Sequence, residues 1–367
     1  MGFTPKTSYF SKRIIAHLMV RLIWNTYRER DFLTNQDGRH ITLTSTELGE
    51  LWKNYIGESL LNCVYTHYLS NVDDDRIRAT LEKASNITKQ HMMKLEELFN
   101  KESFAIPTGF GKNDINDQAP AVFTDKFYLF YLKETSRINL LQFSNALTVS
   151  FRADVREYFS ECVNDMSDLF QETMNAMLAK GLIIRAPFIP VPTEVKFVES
   201  KDFLHKLIGQ QRPMASTEIT GMYVNLDSNQ LGKSLMMAFS QVVQSEDIKK
   251  YMLRGRDISH KNIVILQDLL TKDHLPAPQL WDPEVLESKV PPFSEKLMLY
   301  HVALANAGSL FNYGISLTST FRYDISVDIA RLVTEIAKFS NDGVKMLIDR
   351  KWLEQPPMAA DRDELAK

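Results

Sequence analysis

An internal repeat is the feature that most constrains how this chain can fold. The tetrapeptide Ser45-Thr46-Glu47-Leu48 recurs, 171 residues later, as Ser216-Thr217-Glu218-Ile219. The same register aligns further pairs along the chain: Leu60 with Leu231, Leu98 with Leu269, and Pro107 with Pro278. After a slip of one residue, Phe123-Thr124-Asp125-Lys126 corresponds to Phe293-Ser294-Glu295-Lys296. A register sustained over roughly 150 residues indicates two homologous halves.

Each half is predicted to form four long helices, because its apolar residues recur with a period near 3.6. In the first half we expect these helices at about 45–70, 74–100, 125–148 and 151–180. Thr44 followed by Glu47 is typical of a capping box at the start of the first helix. In the second half Ala215 replaces Thr44, so the sequence predicts that Ser216 caps that helix instead.

The connection between the second and third helices of each half is long, whereas the other two connections are short. Pro107 and Gly109 punctuate it in the first half, and Thr124 and Ser294 are expected to cap the helices that follow. One long crossover is typical of ferritin-like bundles, although an up-down bundle with an ordinary long loop has the same pattern. We therefore expect an all-α fold, a tandem duplication of a ferritin-like four-helix bundle.

The repeat also divides the chain into expected domains. We assign a basic N-terminal extension to 1–40, a first bundle to 41–192, a linker to 193–212 and a second bundle to 213–367. The proline-spaced segment 187–192 favours an extended joint. Basic and apolar residues interleave over 12–30, which suggests either an amphipathic helix at a membrane surface or an ordinary helix packed on the body.

Composition excludes several classes of protein. Apolar residues make up 44% of the 367, too many for an intrinsically disordered chain. The net charge of −3 provides no general attraction for nucleic acid, and two cysteines cannot support a disulfide-stapled secreted fold. Cys63 and Cys162 fall at apolar-facing helical positions and are interpreted as core residues. With no apolar segment of about 20 residues, no transmembrane helix is expected, and we expect a cytoplasmic location.

A ferritin-like fold raises the question of a di-iron site, which requires Glu-x-x-His motifs on two helices. The complete motif is absent from both halves of the sequence. The nearest approach is Asp257-Ile-Ser-His260, which His301 could join in a three-ligand site. The alternative, which we favour, is that His260 is a surface or satisfied histidine, so that no metal and no cofactor is bound.

A polar pair is repeated at the junction of the third and fourth helices. Arg152 and Asp154 in the first half correspond to Arg322 and Asp324 in the second. The pair could form a binding site that is used twice. We favour a structural role, in which the arginine holds helix ends and the aspartate stabilises the start of the fourth helix.

Several ordered motifs resemble one known family. They are Pro107-Thr108-Gly109-Phe110, Asp114-Ile115-Asn116, Ala119-Pro120, Phe123-Thr124-Asp125, Phe197-Val198, Gly255-Arg256-Asp257-Ile258, residues 292–297, residues 352–357 and Ala360-Asp361-Arg362. Together they resemble the "domain of unknown function 3231" family of spore-forming bacilli, over about residues 41–367. The resemblance implies a double ferritin-like bundle and relatives described as spore-coat proteins. It implies no established activity and no catalytic residues.

Three hypotheses for function remain open at this point. The favoured one is a non-catalytic structural or interaction protein, associated with the spore, whose partners are other proteins or further copies of itself. The second is a metal-dependent oxidoreductase with an unconventional site in the second bundle, at Asp257, His260 and His301. The third is a bundle that binds a small molecule or lipid between helices lined by residues such as Met236, Met237 and Phe239.

Overall fold

The computed structural model describes residues 41–206 and 210–367, and the regular structure in these ranges is helical. The first half contains α1 (Ser45–Asn71), α2 (Asp75–Lys101), α3 (Asp125–Thr148) and α4 (Ala153–Ala179). The second contains α5 (Ser216–Val242), α6 (Glu246–Lys272), α7 (Glu295–Thr318) and α8 (Tyr323–Asp349). Short 3-10 turns lie at Lys112–Asp114, Lys201–Phe203 and Asp282–Glu284, and a single helical turn, α9 (Arg362–Leu365), lies near the end of the chain.

The expected fold class is confirmed: the chain is all-α, with a four-helix unit that occurs twice in tandem. Within each unit the long crossover joins the second helix to the third. The first two helices pack against each other, as do the last two. The basic extension 1–40, including the segment 12–30, lies outside the described residues. The domain boundaries drawn from the sequence stay a prediction.

The start of α5 differs from the expectation. Its N-cap is Ala215 rather than Ser216, which is already the first helical residue. The Glu218 carboxylate accepts a hydrogen bond from the Ala215 backbone N–H at 2.7 Å. Because this carboxylate satisfies the exposed amide, the cap position does not need a polar side chain of its own.

The apolar core is continuous between the two halves. One cluster of buried side chains extends from α1–α4 into α5, α6 and α7, and a second, smaller cluster lies within the second half alone. Phe130 of α3 stacks on Trp281, which follows α6, with ring centroids 4.4 Å apart. The two units therefore share one interior over much of their length, rather than each enclosing a separate core.

The two halves meet through a reciprocal exchange between their crossover segments. Ile115 forms an isolated antiparallel bridge with Phe293, and Phe123 forms one with Val285. In the repeat register Ile115 corresponds to Val285 and Phe123 to Phe293, so each bridge is the symmetry counterpart of the other. This is the pattern of a two-fold symmetric dimer interface, here built within a single chain.

The pseudo-two-fold axis passes between two equivalent residues, Tyr131 of α3 and His301 of α7. Their side chains are joined by a hydrogen bond of 2.9 Å between the tyrosine hydroxyl and the histidine Nε2. Both side chains are buried. We use the name "inter-repeat seam" for the crossover segments 107–124 and 278–294 together with residues 352–357.

Candidate functional site

The repeated arginines lie at the same junction in both halves. The Arg152 guanidinium donates to both carboxylate oxygens of Asp154 at 2.8 Å, to Glu102 at 2.6 Å and to the Ile41 carbonyl at 3.1 Å. It thus ties the start of α4 to the end of α2 and to the chain that leads into α1. These bonds close an internal network of charge-assisted hydrogen bonds, and the structural role expected for this residue stays a prediction.

The second half repeats the same network residue for residue. Arg322 donates to Asp324 at 3.1 and 2.7 Å, to Asp273 at 3.0 Å and to the Arg212 carbonyl at 3.0 Å. Asp273 and Arg212 occupy the positions that correspond to Glu102 and Ile41. The pairs Arg152/Asp154 and Arg322/Asp324 therefore have equivalent surroundings.

A buried glutamate completes each junction. Glu47 accepts hydrogen bonds from the backbone N–H groups of Phe151 and Arg152 at 2.8 and 2.6 Å, as well as from Thr44. Burial opposes ionisation, but the hydrogen bonds from Arg152 and Thr44 outweigh it and lower the pKa of Glu47. Glu218 accepts from the equivalent backbone groups in the second half. The capping glutamate seen in the sequence thus also fixes the α3–α4 turn.

The repeated Asp/Glu at the first residue of α3 and α7 also joins two elements of each half. Asp125 accepts from the backbone of residues 73 and 74, and Glu295 accepts from the backbone of residues 244 and 245. The two cap hydroxyls reach across the inter-repeat seam. Ser294 Oγ donates to Asp114 at 2.6 Å, and Thr124 Oγ1 donates to Glu284.

The three candidate metal ligands are not brought together. Asp257 and His260 are exposed on α6, where the Asp257 carboxylate pairs with Arg256. His301 is buried on α7 and contacts Tyr131. Within residues 41–206 and 210–367, no group of three or more His, Cys, Asp or Glu side chains is placed to hold a metal ion. The geometry therefore gives the second hypothesis no support.

A buried polar cluster, which the sequence did not predict, lies inside the first half. His91 of α2 bonds through Nδ1 to Glu58 of α1 at 2.7 Å and through Nε2 to Asp165 of α4 at 3.1 Å. The His91 and Glu58 side chains are only 1% and 2% exposed. Burial opposes the imidazolium, but the Glu58 charge and the hydrogen bonds that His91 donates to Asp165 and Cys162 outweigh it and raise the pKa of His91 to about 12. The cluster is thus a buried ion pair.

The second half has an uncharged pair at the same two positions. Asn229 replaces Glu58 and Asn262 replaces His91, and the two amides are joined by a hydrogen bond of 3.1 Å. Asn229 also donates to the Tyr313 hydroxyl at 2.8 Å. These two equivalent positions therefore hold an ion pair in one half and an amide pair in the other. The amide pair is a reference against which the contribution of the charges to stability can be measured.

A cavity of about 310 Å³ lies between the two halves. Its walls come chiefly from α1, α3, α5 and α7, and they include Glu58 and His301. Charged groups of the wall are paired: Arg137 donates to Glu134 at 2.8 Å, and Lys53 pairs with Glu50. Burial opposes the ionised form, but Arg137 and Lys133 outweigh it and lower the pKa of Glu134.

The sequence suggested a pocket at Met236, Met237 and Phe239, but none of these residues lines the 310 Å³ cavity. Met236 lines a much smaller space of about 20 Å³ within the second half, and Phe239 is part of the shared core. The larger cavity could not be seen in either half of the sequence, because each half supplies only part of its wall. Polar residues at inward-facing positions of the first helix, such as Glu58 and Asn54, are the signal that sequence reasoning overlooked.

Over the part of the chain that the structure describes, no helix is long and apolar enough to cross a membrane. The free thiols of Cys63 and Cys162 are both buried, in agreement with their interpretation as core residues.

Comparisons with known proteins agree with the duplication. The profile of a family described as "Protein of unknown function (DUF3231)" matches residues 31–195 and again residues 202–365. A solved structure described as a "putative spore coat protein", from Bacillus halodurans C-125, is 17% identical, and the match covers 41% of this chain and 98% of that chain at a TM-score of 0.39. No curated protein matches the chain at a significant level. Because the profile matches twice and spans most of the sequence, the chain belongs to the DUF3231 family.

Proposed function

We propose that this protein is a non-catalytic structural protein of the spore, which acts through contacts with other proteins or with further copies of itself. Its association with the spore rests on the family resemblance, whose relatives are described as spore-coat proteins. Its non-catalytic character is supported by the use that the chain makes of its repeated polar residues. Arg152, Arg322, Glu47 and Glu218 are all engaged in holding helix ends together.

The observation that carries the proposal is the position of the family-like motifs. Glu354 accepts hydrogen bonds from the backbone of Thr108 at 2.9 Å and of Gly109 at 2.7 Å. Asp114 accepts from Ser294, and the Asn116 backbone donates to the carbonyl of residue 292 at 2.9 Å. Four of the motifs that carry the resemblance, at residues 107–110, 114–116, 292–297 and 352–357, therefore meet at the inter-repeat seam. Motifs whose role is to join two halves are typical of an architectural protein.

The conformation of Gly109 supports this interpretation. Its φ of +57° lies in the left-handed region, where glycine is favoured. A Cβ atom at this position would also overlap the Ser59 hydroxyl. The glycine thus lets the crossover pass close to α1 while its carbonyl accepts from Lys296 Nζ at 2.9 Å.

The proposal is tested by following a fluorescent fusion of the full chain through sporulation in a spore-forming host, together with extraction of purified spores. We expect the wild-type protein in the spore fraction. The double variant Asp114→Ala/Glu354→Ala, which removes carboxylates from the inter-repeat seam, should be lost from it. The matched control is Glu335→Ala/Asp342→Ala, which removes two carboxylates from exposed ion pairs and should behave as the wild type.

Two results would contradict the proposal. One is a wild-type protein that stays entirely outside the spore throughout sporulation. The other is near-stoichiometric iron, manganese or zinc in protein purified without chelators or an affinity metal, measured by mass spectrometry of digested samples. Metal that is then lost on His260→Ala would show a metal site in the second half, as the oxidoreductase alternative requires.

A further inference from the structure

The cavity between the two halves has a wall whose exposed area is mainly apolar, although polar and charged side chains also line it. Its apolar side chains come from both halves: Leu61, Ile138, Phe143, Phe159, Leu231 and Phe311. Its volume of about 310 Å³ is at the lower end of the range of roughly 300–1,000 Å³ typical of small-molecule sites. That volume is also the share of about ten water molecules in the liquid, which is enough for a compact organic molecule.

One polar atom of this wall has no protein partner. His301 is 5% exposed, and its Nδ1 is buried without a hydrogen bond to any atom of the described residues. A buried polar group that lacks a partner costs free energy. A ligand that supplies the missing hydrogen bond would therefore be favoured over one that does not.

The other nitrogen of His301 indicates which kind of group the ligand must offer. Among the described residues the Tyr131 hydroxyl has one partner, His301 Nε2 at 2.9 Å. Burial raises the pKa of Tyr131 well above its ordinary value and lowers the pKa of His301 to about 4, so both groups are neutral near pH 7. The tyrosine proton then has Nε2 as its acceptor, which leaves the histidine proton on Nδ1. Nδ1 is thus a hydrogen-bond donor.

The charged groups of the wall favour a ligand without a charge. Glu58 is paired with His91, Glu134 with Arg137, and Glu50 with Lys53. An anion would lie near two buried carboxylates, and a cation would compete with partners that are already in place. A neutral molecule avoids both costs.

We propose that this cavity binds an uncharged, mainly apolar small molecule whose oxygen accepts a hydrogen bond from His301 Nδ1. The site goes beyond the structural function proposed above. It exists only when both halves are present, because α1 and α3 supply one part of the wall and α5 and α7 the other. Aromatic side chains in the wall make a flat aromatic ketone a suitable probe.

The experiment compares three probes of nearly equal shape by equilibrium dialysis against the full-length protein at pH 7. The probes are 2-acetylnaphthalene, 2-ethylnaphthalene and 2-naphthoate. We expect one molecule of the ketone per chain, bound about tenfold more tightly than the ethyl compound, which corresponds to one net hydrogen bond. The carboxylate should bind at least about tenfold more weakly than the ketone.

Two variants locate the site. His301→Phe removes the donor and should abolish the preference for the ketone while leaving the ethyl compound nearly unaffected. Ala305→Leu places a larger side chain in the wall and should weaken both neutral probes by about tenfold or more. Ala330→Leu, the same change at an exposed position of α8 outside the cavity, should bind as the wild type.

The proposal is overturned by any of three results. These are a lack of saturable binding by the neutral probes, equal affinity for the ketone and the ethyl compound, and undiminished binding to Ala305→Leu. Circular dichroism shows whether His301→Phe folds. If it does not, the ranking of the probes on the wild type and the comparison of Ala305→Leu with Ala330→Leu still decide the outcome.

Discussion

The buried ion pair between Glu58 and His91 allows a prediction about stability, because the second half holds an uncharged pair at the equivalent positions. The two side chains are almost fully buried and lie 2.7 Å apart, whereas the equivalent positions hold Asn229 and Asn262. His91→Asn leaves the Glu58 carboxylate buried without its cation, and we expect it to lower the free energy of unfolding by about 3–5 kcal/mol. Glu58→Asn should cost less, about 2–3 kcal/mol, since His91 can release its proton.

The double variant Glu58→Asn/His91→Asn reproduces the amide pair of the second half. We expect it to cost only about 1–2 kcal/mol, because no unpaired charge remains buried. Urea unfolding followed by circular dichroism at pH 7 measures all three variants. The exposed pair Lys83 and Glu172, at 2.7 Å, serves as the control, and its single and double asparagine variants should each change stability by less than about 1 kcal/mol.

The coupling between the two substitutions is the quantity that decides this prediction. The double variant should be more stable than the sum of the single effects implies, by roughly 3–7 kcal/mol. If the effects of Glu58→Asn and His91→Asn simply add, the two groups do not act as a pair. The assignment of a buried charge to this position would then be wrong.

Three further predictions follow from the geometry. Folding raises the pKa of His91 from 6.5 to about 12, so the contribution of its charge to the free energy of unfolding is complete below pH 6.5. Above that pH, the difference in free energy of unfolding between the wild type and His91→Asn should narrow by about 1.4 kcal/mol per pH unit. A difference that widens as the pH rises would contradict the assigned direction of the pKa shift. Gly109→Ala should destabilise by roughly 1–3 kcal/mol in urea unfolding, because φ is positive, and Gly314→Ala, on an open helical surface, should be neutral or stabilising by up to about 1 kcal/mol. Arg152→Ala should cost about 3–5 kcal/mol, since it removes the buried guanidinium that pairs with Asp154 and Glu102. A loss below about 1 kcal/mol would show that the network contributes little.

The sequence predicted the helices well because their signals are local. Apolar periodicity, the capping box at Thr44 and the acidic first turns all act within a few residues. The repeated Arg152 and Asp154 are interpreted as architecture, because an element kept in both halves of a duplication indicates architecture, and this interpretation stays a prediction. The prediction that Ser216 caps α5 was wrong. The Glu218 carboxylate accepts a hydrogen bond from the Ala215 backbone N–H, so the cap residue does not need a polar side chain.

The inter-repeat seam could not be predicted in the same way. It depends on pairing between residues that lie about 170 positions apart, and the repeat register says which positions are equivalent but not which ones meet. Ile115, for example, pairs with Phe293, which is the equivalent of Phe123 and not of Ile115 itself. The cavity depends on the same pairing. The Glu58–His91 pair was missed for a different reason, because one inward-facing polar residue on each helix creates no periodic pattern.

The central claim is that two homologous halves share one interior across a pseudo-two-fold seam, and the association of the separated halves tests it most directly. Residues 1–195 and 196–367 are expressed together as two separate chains, and their association is measured by size-exclusion chromatography with light scattering. We predict a one-to-one complex with the helical content of the intact protein. The complex should dissociate when Asp114→Ala and Glu354→Ala remove carboxylates from the seam. Two folded monomers that do not associate would contradict the shared interior.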